Sequence, residues 1–341
     1  MAAMPTSHST LSLAPSKTIP VYPSDAFRVS YGANEGDGLS FAEDLMLDDV
    51  YILDALAQTI SLSLARQGRV NIIADTSEAG ISGSHIHLDC TVTLMGYGTK
   101  VTEVLVLVEV DAAGHARQVY LMPLAPLEPK VEYRLVGIDT QSADRKLAQV
   151  ACVSFTRGTQ IALATGRQRK VEDLRAGDAV LTRDCGAQKI RWIGQNTQRA
   201  VGAFAPIKIA AGELNNINDL VVSPDHRLFI YQRTDHLQLG RAELLIKARY
   251  LVNGTSVTIQ EGGFVDYFQL LFDSHQIIYA EGIAAESMLV DDTTAPLLDK
   301  AVLKDLELNP NIHRELDERD VQKALLNRSD AIDLLRKASK G

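Results

Sequence analysis

Between residues 50 and 139 the apolar side chains recur with a period of two, and no other feature constrains the fold of this chain as tightly. The runs Val50 to Asp54, Thr59 to Leu64, Arg69 to Asp75, His85 to Met95, Lys100 to Asp111, Gln118 to Leu124 and Glu132 to Asp139 are alternating or β-branched, and turns such as Asp111-Ala112-Ala113-Gly114 separate them. Neighbouring side chains of a strand point to opposite faces, so each run offers one face to a core. The segment Val104 to Val110 is apolar on both faces and belongs in the middle of a sheet. Seven short strands at this spacing predict a β-sandwich-like domain over 46–148.

A chain of 341 residues exceeds what one core usually serves, which predicts two domains and a tail. Residues 1–45, rich in Ser, Pro and Gly, read as a flexible lead-in able to add a strand to the first domain. From Gly137 to Gln149 the apolar pattern lapses into Asp, Gln, Ser, Ala, Asp, Arg and Lys, the composition of a surface connection, and the domain boundary is placed there. The block 151–290 is again β-rich. It has a hairpin at Ala164-Thr165-Gly166-Arg167, a turn at Arg175-Ala176-Gly177-Asp178, and strands at Ala179 to Thr182, Lys189 to Ile193, Ile207 to Ala210, Leu220 to Val222 and Leu228 to Tyr231. Residues 291–341 change to helical spacing over Leu297 to Leu308, Arg314 to Leu326 and Ser329 to Ala338. The fold class expected is therefore mainly β with a short helical C-terminal tail.

Apolar residues make up 46 % and charged residues 23 %, an ordinary globular balance. A net charge of -9 without a long basic run makes nucleic acid an unfavourable partner. The three cysteines, Cys90, Cys152 and Cys185, are too few and too widely spaced for a disulfide framework and form no CxxC pair, so they read as free thiols. His85 and His87 share a strand face, but Cys90 falls on the opposite parity, and an ordinary strand surface is the better reading than a metal site. The mixed-charge run Arg314 to Asp320 reads as a solvated helix face. No Gly-rich phosphate loop, GxSxG elbow, cofactor site or metal set is recognised. Neither a basic start with an apolar core of the Sec type nor a run long enough to span a bilayer is present, which leaves a cytoplasmic location and export by a non-classical route both open.

The chemistry-bearing residues lie in the second block. Ser154-Phe155-Thr156-Arg157-Gly158-Thr159-Gln160-Ile161 is followed about seventy residues later by Ser223-Pro224-Asp225-His226. Together with Val171 to Thr182, Ile190 to Gly194, Val252-Asn253-Gly254 and Phe268 to Ser287, these segments resemble the Hint domain of inteins and hedgehog proteins over roughly 140 residues. The resemblance implies an all-β self-processing module whose first residue attacks the peptide bond before it, so that the substrate is the chain itself. Gly177-Asp178 and Trp192 fit structural roles, a turn and a core anchor.

By this resemblance Ser154 is the nucleophile, in a position where most members have Cys, and Val153 carries the attacked carbonyl. A hydroxyl is a poorer nucleophile than a thiol and needs a nearby base, and β-branched Val153 crowds its own carbonyl. Cys152, attacking Ala151, is the competing nucleophile, at the cost of sliding the motif away from Phe155 and Gly158. His226 is implied to contact the scissile amide nitrogen and donate a proton to it, and Ser223 to hydrogen-bond beside that amide. The alternative for Ser223 to His226 is a strand-linking corner. Asp273 and His275 are further polar candidates, and Ser287 sits where a hedgehog-type domain has a late Cys, although each can equally be a strand-end residue.

Splicing inteins end in His-Asn followed by Cys, Ser or Thr, and nothing of that kind follows Gly282. The layout is closer to a hedgehog-type or bacterial, non-splicing Hint domain, in which water or another nucleophile resolves the ester. Two functions follow from the resemblance: an N-to-O acyl shift at Val153-Ser154 with release or transfer of the upstream domain, or a catalytically silent Hint scaffold acting as an interaction or surface- and export-related module.

Overall fold

The computed structural model describes residues 17–67, 70–97, 100–231, 243–290, 294–298 and 302. The chain divides into two compact units at Lys146/Leu147. Among the described residues, no helix is long and apolar enough to cross a membrane.

The first unit is built from β1 Lys17–Pro23, β2 Phe27–Tyr31, β3 Val50–Leu53, β4 Ile60–Gln67, β5 Val70–Ile73, β6 His85–Met95, β7 Val101–Val110, β8 Ala116–Pro123 and β9 Glu132–Asp139. One edge of β6 pairs with β7 throughout, while the other is shared between β5 near its start and β9 near its end. Following β6-β5-β4-β1-β8-β7 therefore leads back to β6, and the sandwich-like domain is a single sheet closed on itself, with β9-β3-β2 as an extension. The core residues keep the period of two: Cys90, Val92 and Leu94 on β6, Val104, Val106 and Val108 on β7, Val119 and Leu121 on β8. Leu105 and Leu107 are also fully buried, as a strand apolar on both faces requires. A β-bulge between Leu88 and Cys90 leaves Cys90 buried while His85 and His87 are exposed, so the three do not share a face.

Two segments differ from the sequence expectation. The stretch read as a lead-in able to add a strand adds two, Lys17–Pro23 and Phe27–Tyr31, and is part of the core: Ile19, Val21, Phe27 and Val29 alternate into it, a pattern diluted in sequence by Pro20, Pro23 and Ser24. Residues 1–16 lie outside the described ones. The connection after β9 is not irregular but contains a helix, α1 Ala143–Ala151, which buries Ala143, Leu147, Ala148 and Val150. The Asp139 side chain accepts from the backbone of Gln141 and Ser142 and turns the chain into it.

The second unit contains β10 Phe155–Thr156, β11 Gln160–Ala162, β12 Gln168–Lys170, β13 Ala179–Thr182, β14 Gly186–Lys189, β15 Trp192–Arg199, β16 Ile207–Ile209, β17 Leu220–Val222, β18 Arg227–Tyr231, β19 Glu243–Lys247, β20 Val257–Ile259, β21 Phe264–Leu271, β22 Ile277–Ala280 and β23 Ile283–Glu286. They form one sheet in the order β15-β21-β10-β17-β16-β20 and a second in the order β12-β11-β22-β23-β18-β19, with β13 on β22 and β14 on β13. Phe155, Val222, Phe268 and Leu270 from the first sheet meet Ile161, Leu228, Ile278 and Ala285 from the second in one core.

The turn read at Ala176-Gly177 is present, with Gly177 at φ 94°. The strand expected over Lys189 to Ile193 is instead interrupted, because Ile190 exchanges backbone hydrogen bonds with Gly177 and Asp178. The β22–β23 hairpin has two central residues at positive φ, Glu281 and Gly282. Glu281 tolerates this because its carboxylate holds Gln160 N–H at 2.6 Å and the Asn218 amide at 2.8 Å. The tail helices expected beyond Leu297, and with them Arg314 to Asp320, fall almost wholly outside the described residues, of which a short 3-10 turn, Ala295–Leu297, is one of the last elements.

Candidate active site

The position of Ser154 follows from strand register. Phe155 on β10 pairs with Phe268 on one side and Val222 on the other. Continuing both pairings by one residue places Ser154 between Gln269 and Ser223, and Gln269 in turn pairs with Gly194 on β15. Residues in one row of an antiparallel sheet share a face, so three polar side chains converge in the middle of an otherwise apolar sheet. All three are buried, with Ser154 at 2 % exposure. Gly194 is required beside them: a Cβ there would stand 2.4 Å from the Gln269 amide oxygen and 2.3 Å from the Trp192 ring.

Hydrogen bonds surround the Val153–Ser154 bond. The Ser154 N–H donates to Ser223 Oγ at 3.0 Å, and Ser223 Oγ donates to the Cys152 carbonyl at 3.3 Å. The Ser223 N–H returns to the Ser154 carbonyl at 2.9 Å. Gln269 Nε2 donates to Ser154 Oγ at 2.7 Å. The Cys152 thiol, fully buried, lies 3.8 Å from the Val153 carbonyl oxygen and so contacts the carbonyl that Ser154 would attack, a weak hydrogen bond at most. Cys152, Val153, Ser154, Ser223 and His226 are thus gathered at one place.

His226 arrives from the corner after β17. Its backbone N–H donates to the Ser223 carbonyl and its carbonyl accepts from Ala248, which fixes the turn. The ring packs edge-on against Phe155 at 4.5 Å between centroids and is wholly buried. Nδ1 lies 3.1 Å from the Ser154 carbonyl oxygen. A carbonyl only accepts, so Nδ1 carries the proton. The imidazole is therefore seated on the carbonyl of Ser154, while the amide nitrogen expected to face it is held by Ser223. The N and O of one residue are less than about 4 Å apart, which puts the ring within about 7 Å of the scissile nitrogen. Burial lowers the basicity of His226; the Glu286 carboxylate and the bond to Ser154 oppose this, and Arg227 adds to it.

The other candidates are held by different partners. Asp273 is 60 % exposed and paired with Arg191. The His275 side chain is buried, with Nε2 3.4 Å from Glu286. Ser287 is buried as a strand bridge, accepting from Gln276 N–H at 2.9 Å. Two residues of the site were not singled out in the sequence. Gln269 is the one polar side chain between Tyr267 and Phe272, and Glu286 the one acid in Ile283 to Val290, so a lone polar residue within a buried strand was the available signal.

Residues 153–292 match the family model described as Hint domain. Among solved structures, the chain is similar to an Ssp DnaB mini-intein, variant M86, at 12 % identity and a TM-score of 0.28, covering 41 % of this chain and 96 % of that one. It is also similar to the gp41-1 intein at 11 % identity and a TM-score of 0.25, covering 39 % and 97 %. Comparison with curated proteins gives no match.

Proposed function

The chain is a Hint-domain protein, with that domain over residues 153–292, and we propose that it processes itself at the Val153–Ser154 bond. The observation that carries the reading is the convergence of Ser223, Gln269 and His226 on the backbone and hydroxyl of Ser154.

In the proposed reaction, Ser154 Oγ attacks the Val153 carbonyl carbon as its proton passes to the His226 ring, which becomes an imidazolium. The carbonyl oxygen gains negative charge beside the Cys152 thiol, a weak donor already turned toward it. The C–N bond then breaks, the nitrogen takes a proton and becomes the free amine of Ser154, and Val153 remains attached to Oγ as an ester. Ser223 Oγ follows that nitrogen throughout, because it already accepts its N–H. His226 is the proton carrier: once the Ser154 proton has made it an imidazolium, a small rotation brings Nδ1–H from the Ser154 carbonyl to the nitrogen of the same residue, and the transfer restores the neutral ring. Water, or another nucleophile, attacks the ester and releases residues 1–153. Asp273 and His275 have no direct part in this scheme.

A second reading, a silent scaffold, is favoured by one observation: Gln269 donates to Ser154 Oγ and thereby occupies a lone pair of the attacking atom. The two are separated by incubating the full chain with hydroxylamine at mildly alkaline pH. Scission that disappears in Ser154→Ala supports the acyl shift, whereas an intact band under all conditions supports the scaffold.

A further inference from the structure

Next to His226 along the chain lies a buried ion-pair cluster that the acyl shift as drawn does not use. β18 and β23 pair through Leu228 and Ala285, so the next row places Arg227, which follows His226, opposite Glu286. The Glu286 carboxylate has no solvent exposure. It accepts from the Arg227 N–H at 3.0 Å, from Arg227 Nε at 2.9 and 2.8 Å and from Nη2 at 2.7 Å, and His275 Nε2 lies 3.4 Å away. An acid with this many strong partners stays ionised: burial opposes the charge, but Arg227 and His275 outweigh it and hold the carboxyl at about 2.

Burying this pair has a cost that neighbouring chemistry can explain. A wholly buried imidazole takes up a proton only if a negative charge compensates it. The ionisable groups on the elements around His226 are few. Asp225, on its own turn, is already committed to Arg249 at 2.6 Å and Lys247 at 3.7 Å. Arg227 is a cation and disfavours a second one. The segment entering β10 offers the Cys152 thiol, and β23 offers Glu286 with His275 behind it. Among the described residues, Glu286 is thus the one carboxylate whose charge both offsets Arg227 and favours the protonated ring.

We propose that Glu286, anchored by Arg227 and His275, is a positioning residue that lets the buried His226 ring accept and hold a proton. It acts through His226 without touching the reacting atoms, and it gives His275 an indirect role. The inference rests on the self-processing reading for its purpose, but not for its test.

The test uses the full chain carrying Ser154→Ala, which keeps it intact, with isotope-labelled histidine. Its His226 titration, followed by NMR, is compared with that of the same chain carrying Glu286→Gln. The expected result is a His226 midpoint lower by about one pH unit or more, equivalent to about tenfold less imidazolium at neutral pH. An unchanged midpoint overturns the proposal. If Glu286→Gln does not fold, the Glu286 carboxyl carbon is followed in the folded Ser154→Ala chain. A second inflection at the His226 midpoint supports the linkage, and a flat trace there overturns it. These readouts need no scission, so if the native chain never cleaves while its Ser154→Ala form shows the fall, the acyl shift is contradicted and the linkage stands.

Discussion

Ser154 differs from a surface serine only in its neighbours, and the sharpest predictions concern single side chains. The hydroxyl oxygen is held by Gln269, a hydrogen-bond donor that cannot serve as its base, so its low nucleophilicity limits the proposed reaction. Replacing Ser154 by Cys supplies a nucleophile that is partly ionised at neutral pH, and hydroxylamine-induced scission is expected to accelerate roughly tenfold or more. A Ser154→Cys rate at or below that of the native chain, measured by gel densitometry, contradicts the assignment of the attacking atom. His226→Ala removes the proton carrier and is expected to slow scission by about 10²-fold, with far-ultraviolet circular dichroism unchanged. Loss of the β signal in that variant would instead make the ring a packing residue against Phe155. The residue scale is also where the sequence said least. Ser154, Ser223 and His226 were legible because their spacing follows a family pattern. Gln269 was not, because its place beside Ser154 depends on the pairing of two strands more than a hundred residues apart.

At the level of elements, period-two alternation carried the information. The edges of β6 and β9 coincide with runs visible in the sequence, because long alternation leaves little freedom of register. Short strands were harder: β1 and β2 bury two or three core residues each, and Pro20 and Pro23 break up β1, so their alternation was too brief to stand out. Helix α1 was missed for a different reason. Its buried face is only Ala143, Leu147, Ala148 and Val150, set among Asp144, Arg145, Lys146 and Gln149, so charge dominated a stripe that in fact follows helical spacing. Leu147 is 2 % exposed, and Leu147→Ala is expected to cost about 2–5 kcal/mol in a denaturant titration. A change well below 1 kcal/mol, roughly what an exposed site gives, contradicts the packing assigned to the helix.

For the whole molecule, the buried charges predict how it responds to acid. The Glu286 carboxyl is held at about 2 in the folded chain, below its ordinary value of 4.5. Its contribution to stability is therefore complete above about pH 4.5 and is lost as pH falls toward about 2. His226 works in the same direction at higher pH. Burial depresses its basicity, so the unfolded chain binds the extra proton and stability declines as pH falls below the usual 6.5. The chain has a single tryptophan, Trp192, packed against the second unit's cluster of Cys152, Leu271 and Met288. Its fluorescence under denaturant is expected to report a second unit that weakens from about pH 6.5 downward and most steeply between about pH 4.5 and 2. Stability independent of pH across that range contradicts the buried ion pair.

The most direct measurement is the intact mass of the fragments formed when the full chain is treated with hydroxylamine. Self-processing at Val153–Ser154 predicts one fragment ending at Val153 as its hydroxamate and a second beginning at Ser154 with a free amine, both absent from Ser154→Ala. Fragments meeting at Ala151 and Cys152, or a chain that keeps its full mass throughout, contradict the account.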